Sequence, residues 1–167
     1  RRSSDLMKTW NWGILGQGVI ASQMADALMK EHGGIYAVAG RHMNKVLAFA
    51  EKYTVQHCYD IESLLQDEAV DIVYIATPHT YHYDYMMKAL RHGKHVLCEK
   101  AITVNHKQLQ EVMQLAQEKG LIVMEAMTIF HMPVFQKARE LVESGAIGKL
   151  KMLQVNFGSC KEYDVNN

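Results

Sequence analysis

Short apolar runs alternate with stretches of helical periodicity along most of this sequence. The apolar runs predict strands, namely a run ending at Leu15, Ile35–Ala39, Gln56–Tyr59, Asp71–Ala76, Lys94–Cys98 and Leu121–Ala126. Apolar residues spaced at i, i+3, i+4 and i+7 predict helices between these runs. The predicted helices are one after Gly18, Met43–Tyr53, a brief helix capped by Asp60, Thr80–His92 and one from Asn105 to Lys119. This alternation is typical of an α/β fold with a doubly wound parallel sheet and helices on both faces.

The pattern changes after Ala126. A helix is predicted from Pro133, and Leu150–Phe157 then alternates apolar with polar residues. Such alternation is typical of a strand that buries one face in an antiparallel sheet. We therefore predict a first domain at 8–127, a connecting helix at 128–148, and at 149–167 the first strand of an α+β second domain. We expect most of that second domain to be absent from this chain.

A glycine-rich turn follows the first strand. Gly16, Gly18 and Ala21 form the pattern G-x-G-x-x-A, and helical spacing begins directly after it. A strand, a tight turn and a helix N-terminus in this order form an anion site, because glycines allow close approach to a pyrophosphate and free N–H groups face the charge. An ordinary turn between a strand and a helix has the same pattern, so this stretch alone leaves both interpretations open.

Composition excludes several classes of function. Lys+Arg and Asp+Glu number 18 each, so nothing favours nucleic acid or an anionic membrane as a partner. No window approaches the roughly 20 apolar residues of a membrane span, and the first six residues lack the apolar core of a signal peptide. Three widely spaced cysteines favour a cytoplasmic location over a disulfide framework, and no metal site is predicted.

Several stretches together resemble the Gfo/Idh/MocA oxidoreductase family, within it the glucose-fructose oxidoreductase and trans-dihydrodiol dehydrogenase branch. They are WGILGQGVIA at 12–21, AGRHMNKVLAFAEKY at 39–53, DIVYIATPHTYHYDYMMKALRHGKHVLCEKA at 71–101, MEAM at 124–127 and ELVESGAIGKLKMLQVNFG at 140–158. The resemblance implies a Rossmann domain that binds NAD or NADP, followed by a domain that holds the substrate.

The resemblance also implies an activity. We expect the cofactor-binding half of an oxidoreductase that moves hydride between nicotinamide and a hydroxyl-bearing carbon of a sugar, polyol or cyclic diol. Its partners would be that small molecule and further copies of the chain, joined through the C-terminal sheet. The alternative is a dinucleotide-binding or redox-sensing module without turnover. A methyltransferase is a weaker third hypothesis, because it does not account for Arg41, Glu99 or Lys100.

The resemblance assigns the glycine turn to the cofactor. Gly16, Gly18 and Ala21 would provide the pyrophosphate turn and close helix packing, and the amides of Val19 and Ile20 would lie near the phosphates.

The end of the second strand distinguishes NADP from NAD. An acid about 20 residues past the glycine turn would bind the adenosine ribose of NAD, but this sequence reads Ala39, Gly40, Arg41 and His42 there. Arginine can hold the 2′-phosphate of NADP through two hydrogen bonds. We therefore favour NADP, the alternative being that Arg41 is a solvated loop charge.

The loop after the fourth strand contains Thr77, Pro78 and His79. In open α/β sheets, ligands bind at the carboxyl ends of the strands, and the resemblance places this loop against ribose and nicotinamide. His82 lies one helical turn further and could face the same crevice. The alternative for His82 is a residue at the start of a helix, partly in water.

Glu99 and Lys100 end the fifth strand. The resemblance places Lys100 near the nicotinamide and the substrate hydroxyl, where an ammonium can stabilise the oxygen whose charge changes or relay its proton. Lys100 is our candidate catalytic residue, and Glu99 would anchor the cofactor ribose or orient the lysine. Ala101 stands where the family usually has proline, so the loop lacks a fixed φ. Glu125 would support the site.

Overall fold

The computed structural model describes residues 9–156 and residue 158. Within these residues the strands are β1 (Trp12–Leu15), β2 (Ala37–Ala39), β3 (His57–Tyr59), β4 (Ile72–Ile75), β5 (His95–Cys98) and β6 (Val123–Glu125). The α-helices are α1 (Val19–Glu31), α2 (Met43–Tyr53), α3 (Ile61–Gln66), α4 (His82–Arg91), α5 (His106–Lys119) and α6 (Pro133–Glu143). Short 3₁₀ helices span His79–Tyr81 and Thr128–His131.

All six strands form one parallel sheet in the order β3-β2-β1-β4-β5-β6. Leu15 at the end of β1 lies opposite Ala39 on one side and Ile75 on the other. The carboxyl ends of the three central strands therefore coincide at one edge of the sheet. This topology confirms the predicted doubly wound sheet.

The central strands are apolar throughout because both of their faces are covered. Ile14, Val38 and Tyr74 pack with buried residues of α1 and α2. Their neighbours in sequence, such as Leu15 and Val73, pack with buried residues of α3, α4 and α5 on the other face. The covering helices therefore change face between β1 and β4, which places a crevice at the carboxyl ends of those two strands.

Local signals define the helix ends. The Asp60 carboxylate accepts a hydrogen bond from the Ser63 amide at 2.9 Å, and the Asn105 amide oxygen accepts one from the Gln108 amide at 3.0 Å. These contacts confirm both residues as N-caps, and α2 has its predicted bounds. Gly120 ends α5 in the left-handed conformation, with φ of 65°.

The chain divides into two compact units, Arg1–Met127 and Thr128–Asn167. In the second unit α6 begins at Pro133, as predicted, because proline suits the first position of a helix. The strand predicted at Leu150–Phe157 is not observed in residues 150–156, which are irregular and exposed. A strand needs a neighbour for its backbone hydrogen bonds, and no described residue pairs with these.

Phe157 and Cys160 lie outside the described residues, as do most residues of the predicted second domain. The second domain and its oligomer contacts therefore stay predictions. Among residues 9–156, no helix has the length and apolar character needed to span a membrane. The same residues contain no group of three or more His, Cys, Asp or Glu that could hold a metal ion.

We predict that Asn105→Ala lowers the free energy of unfolding by about 1 kcal/mol, because it removes the side-chain acceptor at the start of α5. Urea unfolding followed by circular dichroism measures the change. Gln110→Ala, on the exposed side of the same helix, should change stability by less than about 0.5 kcal/mol. Equal losses in the two variants would show that the cap does not stabilise α5.

Candidate functional site

A cavity of about 260 Å³ opens at the carboxyl ends of β1, β2 and β4. Its walls are the loops that follow these strands, together with the first turns of α2, α3 and α4. The lining residues are Gly16, Gln17, Gly18, Gly40, Arg41, His42, Lys45, Ile61, Ala76, Thr77, Pro78, Tyr81 and Tyr85. The cavity therefore occupies the crevice where the covering helices change face.

The two glycines of the turn have different roles. Gly16 has a φ of 109°, and a Cβ there would lie 2.5 Å from the Ala76 carbonyl oxygen. Its amide donates to the Ala39 carbonyl at 3.1 Å, so the turn is held between the loops after β2 and β4. A Cβ on Gly18 would meet no atom within 4 Å. Gly16 therefore permits the backbone packing, and Gly18 leaves open space for a ligand.

The N-terminus of α1 faces this turn. The first backbone bond of the helix runs from the Ser22 amide to the Gly18 carbonyl at 3.0 Å. The amides of Val19, Ile20 and Ala21 therefore have no partner within the helix, and the helix dipole adds positive charge there. Ala21 is fully buried in the core cluster that contains Ile14. The geometry is that of an anion site.

The cavity wall after β2 is basic. Arg41, His42 and Lys45 all line the cavity, and no Asp or Glu does. The Arg41 Nη1 donates to the Tyr81 hydroxyl at 2.9 Å, and the guanidinium carbon lies 4.6 Å from the centre of the Tyr81 ring. Arg41 is therefore an exposed loop residue whose guanidinium has an aromatic partner.

Gln17 covers the end of β2. Its side-chain amide donates to the Ala39 carbonyl at 2.7 Å. A Cβ on Gly40 would fall against the Gln17 amide, 2.8 Å from Nε2. Glycine at position 40 therefore leaves the space that Gln17 occupies.

The loop after β4 presents an unpaired polar atom. The Thr77 hydroxyl oxygen is buried and has no hydrogen-bond partner among the described residues. Thr77 and Pro78 line the cavity, whereas His79 is exposed and does not. Open space at Gly18, free amides on α1, basic side chains and this hydroxyl together fit a phosphorylated, hydroxyl-rich ligand such as a dinucleotide.

His82 does not line the cavity; it begins α4, as the alternative interpretation predicted, but it is buried and not partly in water. Its side chain is 1% exposed. Its Nδ1 lies 2.9 Å from the Ala101 carbonyl oxygen and its Nε2 lies 2.8 Å from the Thr77 carbonyl oxygen. Because both ring nitrogens are engaged by backbone, His82 ties the loop after β4 to the loop after β5.

The loop that contains Lys100 is braced by carboxylates. The Tyr74 hydroxyl donates to Glu99 Oε1 at 2.7 Å, and the Lys100 amide donates to Glu99 Oε2 at 3.3 Å. Burial, together with the hydrogen bond to Glu99, raises the pKa of Tyr74. Glu125 accepts from the Ile102 amide at 2.8 Å. The lysine itself is exposed at the end of β5.

Cys98 precedes this loop and is fully buried, as expected for a small apolar residue. Burial raises the pKa of its thiol to about 12. The thiol is therefore a packing group in the core and is not a nucleophile of the site.

The structure brings together only part of the predicted set around the cavity. Gly16, Gly18, Arg41, Thr77 and Pro78 line it. Val19, Ile20, Ala21, His79, His82, Glu99 and Lys100 do not. The lining residues that were not predicted as site residues are Gln17, Gly40, His42, Lys45, Ile61, Ala76, Tyr81 and Tyr85. Tyr81 and Tyr85 are spaced i, i+4 after the fourth strand, and this spacing could have predicted that both lie on one helical face at the crevice.

A six-stranded parallel sheet of this order, with an open glycine turn at the N-terminus of α1, defines a dinucleotide-binding Rossmann domain. The family model for the Gfo/Idh/MocA oxidoreductase family, NAD-binding Rossmann fold, matches residues 10–127. This chain belongs to that family.

Curated relatives include trans-1,2-dihydrobenzene-1,2-diol dehydrogenases. The mouse protein is 35% identical over 152 residues, which cover 88% of this chain and 45% of the relative. The human protein is 33% identical over 152 residues, with the same coverage of 88% and 45%. This chain therefore spans less than half the length of these relatives.

Solved structures show the same fold. The 3-ketoreductase KijD10 from Actinomadura kijaniata, in complex with NADP and TDP-benzene, is 30% identical with a TM-score of 0.77. The match covers 83% of this chain and 43% of that one. Myo-inositol 2-dehydrogenase from Lactobacillus plantarum has a TM-score of 0.78 at 20% identity, over 85% of this chain and 43% of its own.

We predict that Gly16→Ala lowers the stability of the fold, whereas Gly18→Ala lowers the affinity for the dinucleotide. Gly16→Ala forces a left-handed φ on alanine and a collision with the Ala76 carbonyl, and should destabilise the fold by about 1–3 kcal/mol or more. Gly18 has φ of −81° and ψ of −177°, which alanine adopts freely. Gly18→Ala should keep stability within about 0.5 kcal/mol but weaken dinucleotide binding about tenfold, because its methyl group enters the ligand space.

Urea unfolding measures the first effect, and calorimetric titration with NADPH measures the second. A Gly18→Ala variant that binds NADPH as tightly as the unchanged chain would show that the phosphates do not approach this turn.

Proposed function

We propose that this chain is the cofactor-binding half of an NADP-preferring oxidoreductase. The reaction is hydride transfer between the nicotinamide and a carbon that bears a hydroxyl group, in a sugar, polyol or cyclic diol. The names of the relatives support this substrate class, because dihydrodiol dehydrogenases and a 3-ketoreductase both interconvert hydroxyl and carbonyl groups.

The proposed cofactor preference rests on the cavity wall after β2, which is basic and has no Asp or Glu among the described lining residues. NAD-binding Rossmann domains present an acid to the ribose hydroxyls at the end of the second strand. Here that position is Gly40, and a Cβ there would require the Gln17 side-chain amide to move. Arg41 and Lys45 add positive charge at the same place. An additional phosphate on the ribose is therefore better accommodated than a bare hydroxyl pair.

The two ends of the site have different tasks. When bound, NADP supplies the hydride chemistry. The free amides at the start of α1 hold the pyrophosphate, and the Thr77 hydroxyl donates to a polar group of the cofactor or substrate. Lys100 places an ammonium at the carboxyl end of β5, where it stabilises charge on the reacting oxygen. Glu99, held by Tyr74, fixes the backbone of that lysine.

We predict that Arg41→Ala weakens NADPH binding by about 10- to 100-fold, as expected for loss of charge-assisted hydrogen bonds to a phosphate. NADH binding should change less than about threefold, because NADH lacks the 2′-phosphate. Calorimetric titration of this chain with each nucleotide measures both affinities. Arg91→Ala removes the same charge at the exposed end of α4 and should leave both unchanged. Equal losses for NADPH and NADH in Arg41→Ala would refute the phosphate role.

We predict that Lys100→Ala lowers kcat by about 100-fold or more, with NADPH affinity changed less than about threefold. Steady-state kinetics with a polyol or diol substrate, in a preparation that turns this substrate over, measures kcat. A calorimetric titration with NADPH measures the affinity. An unchanged kcat would remove Lys100 from catalysis.

A further inference from the structure

We propose that Tyr81 is a positioning residue that sets the preference for a 2′-phosphate by holding the Arg41 guanidinium at the cavity wall. This inference rests on the NADP preference proposed above and names a residue that makes it possible. It concerns the end of the site proposed to bind adenosine, and it does not involve the loop that contains Lys100.

Two contacts join Tyr81 to Arg41. The Arg41 Nη1 donates to the Tyr81 hydroxyl at 2.9 Å, and the guanidinium carbon lies 4.6 Å from the ring centre. The guanidinium therefore lies over the ring and is also tethered at the ring's edge. A cation over an aromatic face and a hydrogen bond to the same ring fix both the position and the orientation of the group.

Tyr85 extends this contact into the body of the domain. The rings of Tyr81 and Tyr85 are stacked, with centres 5.9 Å apart and planes inclined by 17°. Tyr81 ends the 3₁₀ helix His79–Tyr81 and Tyr85 lies in α4, so their spacing puts both rings on one face. Tyr85 also packs against the buried core on that face of the sheet. The stack thus connects an exposed arginine to a packed helix.

Arg41 has no other anchor in the part of the chain that the structure describes. No carboxylate among residues 9–156 forms an ion pair with it. An exposed arginine free of contacts must lose rotamer entropy when it binds a phosphate, and that loss weakens binding. Tyr81 removes much of this cost before the ligand arrives.

The contact with Tyr81 leaves the arginine able to bind. A guanidinium has five N–H donors, and only one of them is directed to the Tyr81 hydroxyl. Lys45 lines the same cavity and has no partner among the described side chains. The remaining donors of Arg41, together with Lys45, are therefore available to a doubly charged phosphate.

The test uses two small probes that isolate this end of the site, adenosine 2′,5′-bisphosphate and adenosine 5′-monophosphate. Their dissociation constants are measured by calorimetry on this chain and on Tyr81→Phe, which keeps the ring but removes the hydroxyl. Tyr81→Leu removes both contacts. Tyr83→Phe removes a hydroxyl from α4, the helix that follows, where it contacts Glu111 and does not line the cavity; this variant serves as the matched control.

We expect Tyr81→Phe to weaken the bisphosphate about 3- to 10-fold, the usual range for one hydrogen bond, and Tyr81→Leu to weaken it further. The monophosphate should change less than about twofold in both variants, and Tyr83→Phe should change neither probe. In an Arg41→Ala background, Tyr81→Phe should have no further effect, because its action passes through the arginine.

Three results would contradict these expectations. If the unchanged chain shows no preference for the bisphosphate, the proposed NADP preference fails, and this inference fails with it. If the unchanged chain prefers the bisphosphate but Tyr81→Phe keeps the same ratio of affinities, only the role of Tyr81 is overturned. An equal effect of Tyr81→Phe with and without Arg41 would overturn it as well.

Discussion

The pairing of β1 with β4 at the centre of the sheet determines where this chain can hold a ligand. The covering helices change face between these strands, so the loops that follow them diverge and leave a crevice. The turn after β1 must still pass the Ala76 carbonyl so closely that only a glycine fits at position 16. This close approach of the turn to the Ala76 carbonyl places the N-terminus of α1 at the crevice.

The two ends of the site are built on different physical principles. At the end proposed for adenosine, Arg41 is an exposed side chain in the loop after β2, and it contacts the hydroxyl and the ring of Tyr81. At the other end, the loop around Lys100 is held by three side chains, namely the buried Tyr74 on β4, the buried His82 on α4 and the half-buried Glu125 at the end of β6. The proposed cofactor preference thus rests on surface residues, whereas the geometry of the lysine loop depends on groups in or next to the core.

Features with local causes could be predicted from the sequence, and features that depend on distant partners could not. The bounds of α2 and the cap at Asn105 follow from residues within one helical turn. The place of His82 could not be predicted, because its partners at Thr77 and Ala101 meet only when β4 and β5 pair. Leu150–Phe157 has the alternation of a strand, but alternation does not supply a neighbouring strand.

The contact between Gln17 and Gly40 links two positions at the carboxyl end of β2. An acid at position 40, the simplest change toward the ribose hydroxyls of NAD, would displace the Gln17 amide and break its bond to the Ala39 carbonyl. A change at position 17 alone frees space but adds no acceptor. Because the Gln17 amide is the end of a flexible side chain, it can move aside, so a substitution at position 40 also changes the contacts of position 17. If the site prefers NADP as proposed, a change of nucleotide would therefore involve positions 17 and 40 together, in addition to the charge of Arg41.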